Sequence, residues 1–254
     1  MNSFNLYAKY YDLFYHDKNY EEEVNYVDEL IKKNSLIEAT HILDMGCGTG
    51  IHANLLSQLN YKVDGVDVSE KMIATARSNY SDNKKLRFFN GDITNFRSKN
   101  KYQVVTSLFH VISYQNSNDD LLSSFKTAFD HLEDSGLFIF DFWYGPGVLT
   151  DLPEIRTKTL ATNEIKVKRK ATPTIHFNLN VVTVNYDISI SNGKSGKLEK
   201  IVEKHSMRYL FKPELEFYLE QTGFKLVSIY NWLTMDSPDS ESWTAVVVAI
   251  KLDK

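Results

Sequence analysis

Apolar residues recur along this chain with two different periods. Between Tyr20 and Lys33, Val24, Val27, Leu30 and Ile31 fall among acids at three- and four-residue spacing, which predicts an amphipathic helix. A strand is expected at 41–43, a helix over IHANLLSQL (51–59), and a strand in YKVDGVDVS that ends near Asp67. SEKMIATARS then reads as a helix with Ser69 as its N-cap. LRFFNGD predicts a strand stopping at a Gly-Asp turn, YQVVTSLFHVISY a strand running into a loop, DDLLSSFKTAFDHL a helix closed by DSG, and LFIFDFW another strand. Such alternation implies a parallel sheet covered by helices on both faces.

From Ile165 to Phe211 the helical period disappears. In VVTVNYDISI, Val182, Val184, Tyr186, Ile188 and Ile190 share one face and polar residues the other, the mark of a half-buried antiparallel strand. SNGKSGK supplies a hairpin turn and LEKIVEKHSMRYLF the returning partner. KPELEFYLEQTGF is expected as a helix with Pro213 in its first turn and Gly223 at its end, and KLVSIYNWL and SWTAVVVAIKL as two strands that complete the sheet. The antiparallel stretch, about 155–211, is expected as an insertion within a single domain spanning 1–254. Ahead of all this, Tyr7, Tyr10, Tyr11, Phe14 and Tyr15 crowd the first fifteen residues at roughly helical spacing.

Composition narrows the function classes. With 254 residues, 43% of them hydrophobic, the chain can bury a sizeable core. A net charge of -4 with scattered lysines gives a nucleic-acid backbone no electrostatic footprint, so no nucleic-acid partner is expected. The single cysteine, Cys47, cannot form an intrachain disulfide, which suits a reducing compartment. The aromatic and charged start has no apolar signal region, and TAVVVAI is far too short to span a bilayer, so a cytoplasmic protein with no membrane partner is expected. No histidine-carboxylate cluster has metal-ligand spacing, and no metal is expected.

The candidate chemistry centres on HILDMGCGTG, residues 41–50. Glycines in a strand-turn-helix unit let the turn tighten and let backbone approach a ligand at the C-terminal edge of the sheet. Dinucleotide folds use G-x-G-x-x-G, with the helix N-terminus facing a pyrophosphate. Here Gly46, Gly48 and Gly50 give G-x-G-x-G, and Asp44 precedes them. A carboxylate in that place repels a pyrophosphate but suits a ligand carrying an ammonium and a sulfonium, which points to S-adenosyl-L-methionine. Two more acids fit: Asp67, at the end of the second strand, to accept both ribose hydroxyls, and Asp92 in NGDI to accept from the adenine amino group while Ile93 covers the ring.

DMGCGTG, GVDVSEKMIATAR, NGDI and the late strand pair resemble class I S-adenosylmethionine-dependent methyltransferases, from about Tyr7 to the end of the chain. YYDLFY, WYGP and the antiparallel insertion more narrowly resemble the N-methyltransferases that alkylate the amino group of nucleotide-linked deoxyaminosugars. The resemblance implies a Rossmann-like α/β fold, with a seven-stranded, mostly parallel sheet whose last strand is antiparallel. It also implies an insertion that covers the active site, and a homodimer. It places Tyr11 and Tyr15 in a lid over the cofactor, with Tyr15 touching both cofactor and acceptor, and adds Cys47 and Val68 to the cofactor contacts.

Methyl transfer is an in-line displacement, so the protein chiefly orients the acceptor and excludes water. An amine acceptor must be neutral to attack, which makes a nearby base useful. His110, after the fourth strand, is the candidate base beside Tyr15, and Leu108 and Phe109 are candidate walls for the adenine or methionine portion. Trp143 and Tyr144 are candidate acceptor-pocket walls. The ribbon residues His176, Tyr186, His205 and Arg208 are further acceptor candidates, with Arg208 suited to a phosphate. His131 needs only the dipole of its helix as an explanation. TSLFHVISY lacks the Asn/Asp-Pro-Pro-aromatic run of enzymes that methylate base or glutamine amino groups. The leading expectation is transfer to the amino group of a nucleotide-linked sugar. The alternatives are transfer to a sugar hydroxyl or phosphoryl-type oxygen of a surface-polysaccharide precursor, a module that binds the cofactor without turnover, and a nicotinamide oxidoreductase.

Overall fold

The computed structural model describes residues 14, 18–161, 165–192 and 198–253. The expected lid tyrosines Tyr11 and Tyr15, and most of SNGKSGK, lie outside the described residues. In chain order the first half comprises α1 (Tyr20–Asn34), β1 (His41–Met45), α2 (Ile51–Gln58), β2 (Lys62–Asp67), α3 (Glu70–Asn79), β3 (Leu86–Asn90), β4 (Tyr102–Ser107), α4 (Asn118–His131) and β5 (Leu132–Tyr144). The second half comprises α5 (Gly145–Thr150), β6 (Arg156–Ala161), β7 (Ile165–His176), β8 (Val181–Asn192), β9 (Leu198–Leu210), α6 (Lys212–Gln221), β10 (Phe224–Asn231) and β11 (Thr244–Lys251).

Strands β3, β2, β1, β4 and β5 lie side by side and pair in parallel. β11 runs antiparallel along the other edge of β5, and β10 pairs with β11. This is the expected seven-stranded sheet, with its last strand reversed. Its central strands are apolar on both faces because both are covered. Ile42, Val63, Val104, Ile139 and Val248 pack beneath α1, α2 and α3. Leu43, Val105, Phe138, Phe140 and Val247 pack beneath α4 and α6.

Local signals explain the helix starts. Asn19 accepts from Glu22 N at the head of α1, Ser69 from Met72 N at α3, and Ser117 from Asp120 N at α4. Three glutamates in the first turn of α1 and two lysines in its last complement the helix dipole. One expectation fails at α4. DSG does not form a loop between helix and strand, because β5 begins at once at Leu132 and carries Asp134, Ser135 and Gly136 in a bulge. Ser135 has a left-handed φ of 62°, and five residues of β5 advance against two of β4.

Strands β6 to β9 form an antiparallel ribbon. The β8 alternation is as expected: Val182, Val184, Ile188 and Ile190 are buried, and Tyr186 is half-buried. The ribbon joins the main sheet where Tyr209 and Leu210 of β9 pair in parallel with Trp143 and Tyr144. β4 stops pairing with β5 at Phe140, so β9 takes over the same edge just past it. The ribbon therefore rises from the C-terminal edge of the parallel strands. Among the described residues no helix is long and apolar enough to cross a membrane.

Two elements had no sequence signal. β6 is an edge strand, and α5 is a six-residue helix opened by Pro146 in its first turn. α5 depends on a close approach, since a Cβ on Gly147 would fall inside the carbonyl of Ser242. Gly147→Ala is expected to lower stability by about 1–3 kcal/mol or more through this backbone collision. Urea denaturation should show a lower midpoint at unchanged slope, and an unmoved midpoint would count against the packing described.

Candidate active site

A cavity of about 950 Å³ opens where the parallel strands end. Its floor is the turn after β1 together with the ends of β2 and β3, and its far wall is the ribbon. Gly46 N and Cys47 N both donate to Val66 O, which ties the turn to β2. The three glycines answer to different constraints. A Cβ on Gly46 would meet Val111 at 2.5 Å and one on Gly50 would meet the Phe88 ring at 2.7 Å, whereas Gly48 has nothing within 4 Å. Gly46 and Gly50 are thus bare for packing, and Gly48 is bare toward the cavity.

Asp67 anchors this floor. Its Oδ2 accepts from Gly48 N at 3.0 Å and its Oδ1 from Ser69 N at 2.8 Å. A carboxylate has about four acceptor positions, so both oxygens can still accept from a ligand. Asp92 lies just beyond β3 and accepts from Thr94 N and Thr94 Oγ1 through Oδ1, with Ile93 beside it in the cavity wall. Asp44 sits behind the turn, 1% exposed and outside the cavity wall. Thr106 Oγ1 donates to its Oδ1 at 3.0 Å, while its Oδ2 has no hydrogen-bond partner among the described residues. Burial pushes this carboxyl up to about 6.

Leu108, Phe109 and His110 follow β4 in the cavity wall, and Phe109 and His110 are both left-handed, with φ of 67° and 63°. Such backbone is uncommon outside glycine and persists only where its surroundings hold it. Here the holder is Asp141, a buried acid inside apolar β5, whose two oxygens each accept from His110 N at 3.1 Å. His110 Nδ1 also lies 2.7 Å from Asp141 Oδ2, a close approach without hydrogen-bond alignment. Sequence reasoning missed Asp141, whose signal was a lone acid in LFIFDFW.

Lys18 is a second missed residue. Its Nζ lies 3.8 Å from the Phe109 ring centre and donates to Glu23, which His52 Nε2 meets at 2.8 Å. Burial opposes the Glu23 charge, but His52 and Lys18 outweigh it and hold the carboxyl down at about 2.

On the ribbon side the wall includes Tyr114, Trp143, Tyr186, His205 and Trp243. Tyr114 was also missed. It lies in a short 3₁₀ turn after β4, and its hydroxyl is 3.0 Å from His205 Nδ1.

The structure brings Gly46, Gly48, Asp67, Val68, Asp92, Ile93, Leu108, Phe109, His110, Trp143, Tyr186 and His205 to one cavity. It does not bring the remaining described candidates to the wall. Cys47 points the other way, into the core, where a Cβ on Gly65 would meet its Sγ at 2.7 Å, and burial raises its thiol pKa. Tyr144 packs against Phe142, on the face of β5 opposite Trp143. His176 is exposed at the end of β7. Arg208 is buried and donates to Glu214 and to Asn118 Oδ1, so its charge braces α4 and α6. His131 is likewise structural, accepting from Ser98 N through Nε2 while its Nδ1 meets Thr127 O.

Residues 42–136, which hold the glycine turn, Asp67, Asp92 and the Leu108–His110 turn, match a family model described as a methyltransferase domain. Over that segment the chain is similar to methyltransferase domains. Over 146 residues it is 30% identical to the dTDP-3-amino-3,4,6-trideoxy-alpha-D-glucopyranose N,N-dimethyltransferase of Streptomyces venezuelae, a match that spans 57% of this chain and 60% of that enzyme. The solved S-adenosylmethionine-dependent methyltransferase of Clostridium acetobutylicum superposes with a TM-score of 0.82 at 20% identity, covering 98% of this chain and 100% of that one. An amino pentose methyltransferase of Micromonospora echinaspora, solved with S-adenosylmethionine bound, superposes with a TM-score of 0.76 at 18% identity over 95% of this chain and 96% of that one. The fold is that of class I S-adenosylmethionine-dependent methyltransferases.

The floor fits S-adenosylmethionine, because the orphaned oxygen of Asp44 leaves negative charge behind a bare turn, where a cationic ligand gains most. The sign of the pH dependence follows. Without ligand, ionised Asp44 costs the folded state stability as pH rises from the ordinary 3.8 through about 6. A bound cation favours the ionised form, so S-adenosylmethionine affinity should fall about tenfold between pH 7 and pH 5. Asp44→Asn should flatten that dependence, and calorimetry at both pH values checks it; equal affinity in the unaltered chain would refute it.

Proposed function

We propose that this protein moves the methyl group of S-adenosylmethionine to the amino group of a nucleotide-linked sugar. The observation that carries the reading is the division of the cavity: a glycine and carboxylate floor faces an aromatic wall built by the ribbon. The sequence likeness to a dTDP-aminosugar N,N-dimethyltransferase supports it.

In this reading Asp67 takes the ribose hydroxyls, Asp92 the adenine amino group, and Ile93, Leu108 and Phe109 the apolar faces of the cofactor. Bare Gly48 lets the methionine portion approach the turn, and Asp44 favours its charge from behind. His110, held by Asp141, borders the reacting groups. Bound S-adenosylmethionine supplies an electrophilic methyl on a sulfonium. The chain supplies orientation and a dry site, and the rings of Trp143, Tyr186 and Trp243 stabilise positive charge that moves from sulfur to nitrogen. With Arg208 committed to Glu214, Lys204 in the cavity wall is the better-placed cation for a substrate phosphate. The ribbon, about 155–211, is then an insertion within one domain that covers the acceptor. By the same resemblance the working form is a cytoplasmic homodimer that serves glycan or secondary-metabolite synthesis.

The test is incubation with methyl-labelled cofactor and a panel of nucleotide-linked sugars bearing either an amino group or a hydroxyl at the same carbon. Label is expected in the amino members. Label confined to hydroxyl members, or cofactor binding with no transfer at all, would overturn the reading.

A further inference from the structure

We propose that Tyr114, His205 and Glu203 form a proton relay that frees the acceptor nitrogen for attack, an inference that rests on the amine reading above. Tyr114, in the turn after β4, and His205, on β9, meet at the cavity wall, 3.0 Å apart from hydroxyl to Nδ1. On the other side of the imidazole, Nε2 lies 3.1 Å from Glu203 Oε2. Imidazole and carboxylate are buried, at 4% and 7% exposure, while Tyr114 is half-buried. Glu203 and His205 stand two residues apart on one strand and so share a face of the ribbon.

The bonding fixes where the protons sit. An ionised carboxylate only accepts, so His205 carries its hydrogen on Nε2. Nδ1 then offers a lone pair, and the Tyr114 hydroxyl donates to it. That orientation turns the remaining lone pairs of the tyrosine oxygen to other donors, and the cavity is where an acceptor would stand.

An aliphatic amine at neutral pH is an ammonium and has no lone pair with which to attack. In the relay, one ammonium proton passes to the Tyr114 oxygen as the Tyr114 proton passes to His205 Nδ1. The products are a neutral amine, an intact phenol and an imidazolium paired with Glu203. The nitrogen lone pair then forms the N–C bond as the C–S bond breaks, and that electron pair stays on sulfur. The methylated product leaves as an ammonium, and the imidazolium returns its proton to water. A second methylation needs the same deprotonation, so one relay serves both rounds.

Tyr114 and His205 are thus catalytic residues, and Glu203 is a positioning residue. His110 Nδ1 meets Asp141 without hydrogen-bond alignment, whereas both nitrogens of His205 are engaged. Among the described residues, the titratable groups facing His205 include Glu203 on its own strand, Tyr114 from the turn and Tyr186 from β8, whose ring meets the imidazole edge-on at 5.1 Å. Arg169 of β7 stands behind Tyr186, its guanidinium 5.0 Å from that ring.

The experiment uses the full chain, methyl-labelled S-adenosylmethionine and an amino sugar nucleotide that the unaltered protein methylates, from pH 6 to pH 10. Tyr114→Phe and His205→Asn should each lower kcat about 100-fold or more at pH 7, with cofactor affinity by calorimetry unchanged as the check on folding. Their rates should then climb about tenfold per pH unit toward the amine's own pKa, closing the gap in alkali. Glu203→Gln should lower kcat less than either change, because the imidazole keeps its place at the wall but loses the carboxylate that orients it. Retention of the unaltered rate and profile by both Tyr114→Phe and His205→Asn overturns the relay alone, as does a loss that is uniform across pH. A protein that methylates no amine overturns the acceptor reading, and the relay falls with it.

Discussion

The grip of one carboxylate on two backbone amides holds the site together. Asp67, at the last position of β2, accepts from Gly48 in the turn after β1 and from Ser69 at the head of α3. Two adjacent βα units are thereby joined at the edge of the sheet where ligands of this fold bind. Without that grip the Gly48 amide loses its partner and the floor of the cavity has no fixed shape. In the proposed function the same carboxylate accepts from the cofactor ribose, so the group that shapes the floor is the group that would read the ligand.

Charge sets the preference of that floor. Asp44 is buried behind the turn with one oxygen unbonded among the described residues, and Asp67 and Asp92 stand at the ends of the next two strands. A diphosphate brought here would face carboxylates on three strands, whereas a sulfonium with an ammonium neutralises them. The wall opposite has another character. Trp143, Tyr186 and Trp243 offer ring faces, and the buried acids Asp141 and Glu203 approach the cavity through His110 and His205. One side of the cavity thus suits a cation, and the other suits a group that becomes one.

The parallel half of the molecule was legible because its signals are local. The cap at Ser69, apolar runs such as LFIF and acids at strand ends each act within a few residues. What escaped needed the fold itself. α5 exists because Gly147 meets the backbone of Ser242, far along the chain, and β5 starts early because a bulge absorbs DSG. β6 carries almost no apolar pattern, being an edge strand of the ribbon. In the site, the glycines and acids of β1, β2 and β3 were legible, but Cys47 sits within the motif and faces the core. Tyr114 and His205 are 91 residues apart in sequence, and no periodicity announces their meeting.

What the glycine turn and its carboxylates accept decides the chemistry of the cavity. Isothermal titration of the whole chain with S-adenosylmethionine and with NAD, in parallel and at the same concentrations, measures that choice directly. Saturable binding of the methyl donor with no heat from NAD is the result predicted. Uptake of NAD with none of the methyl donor would contradict the central claim.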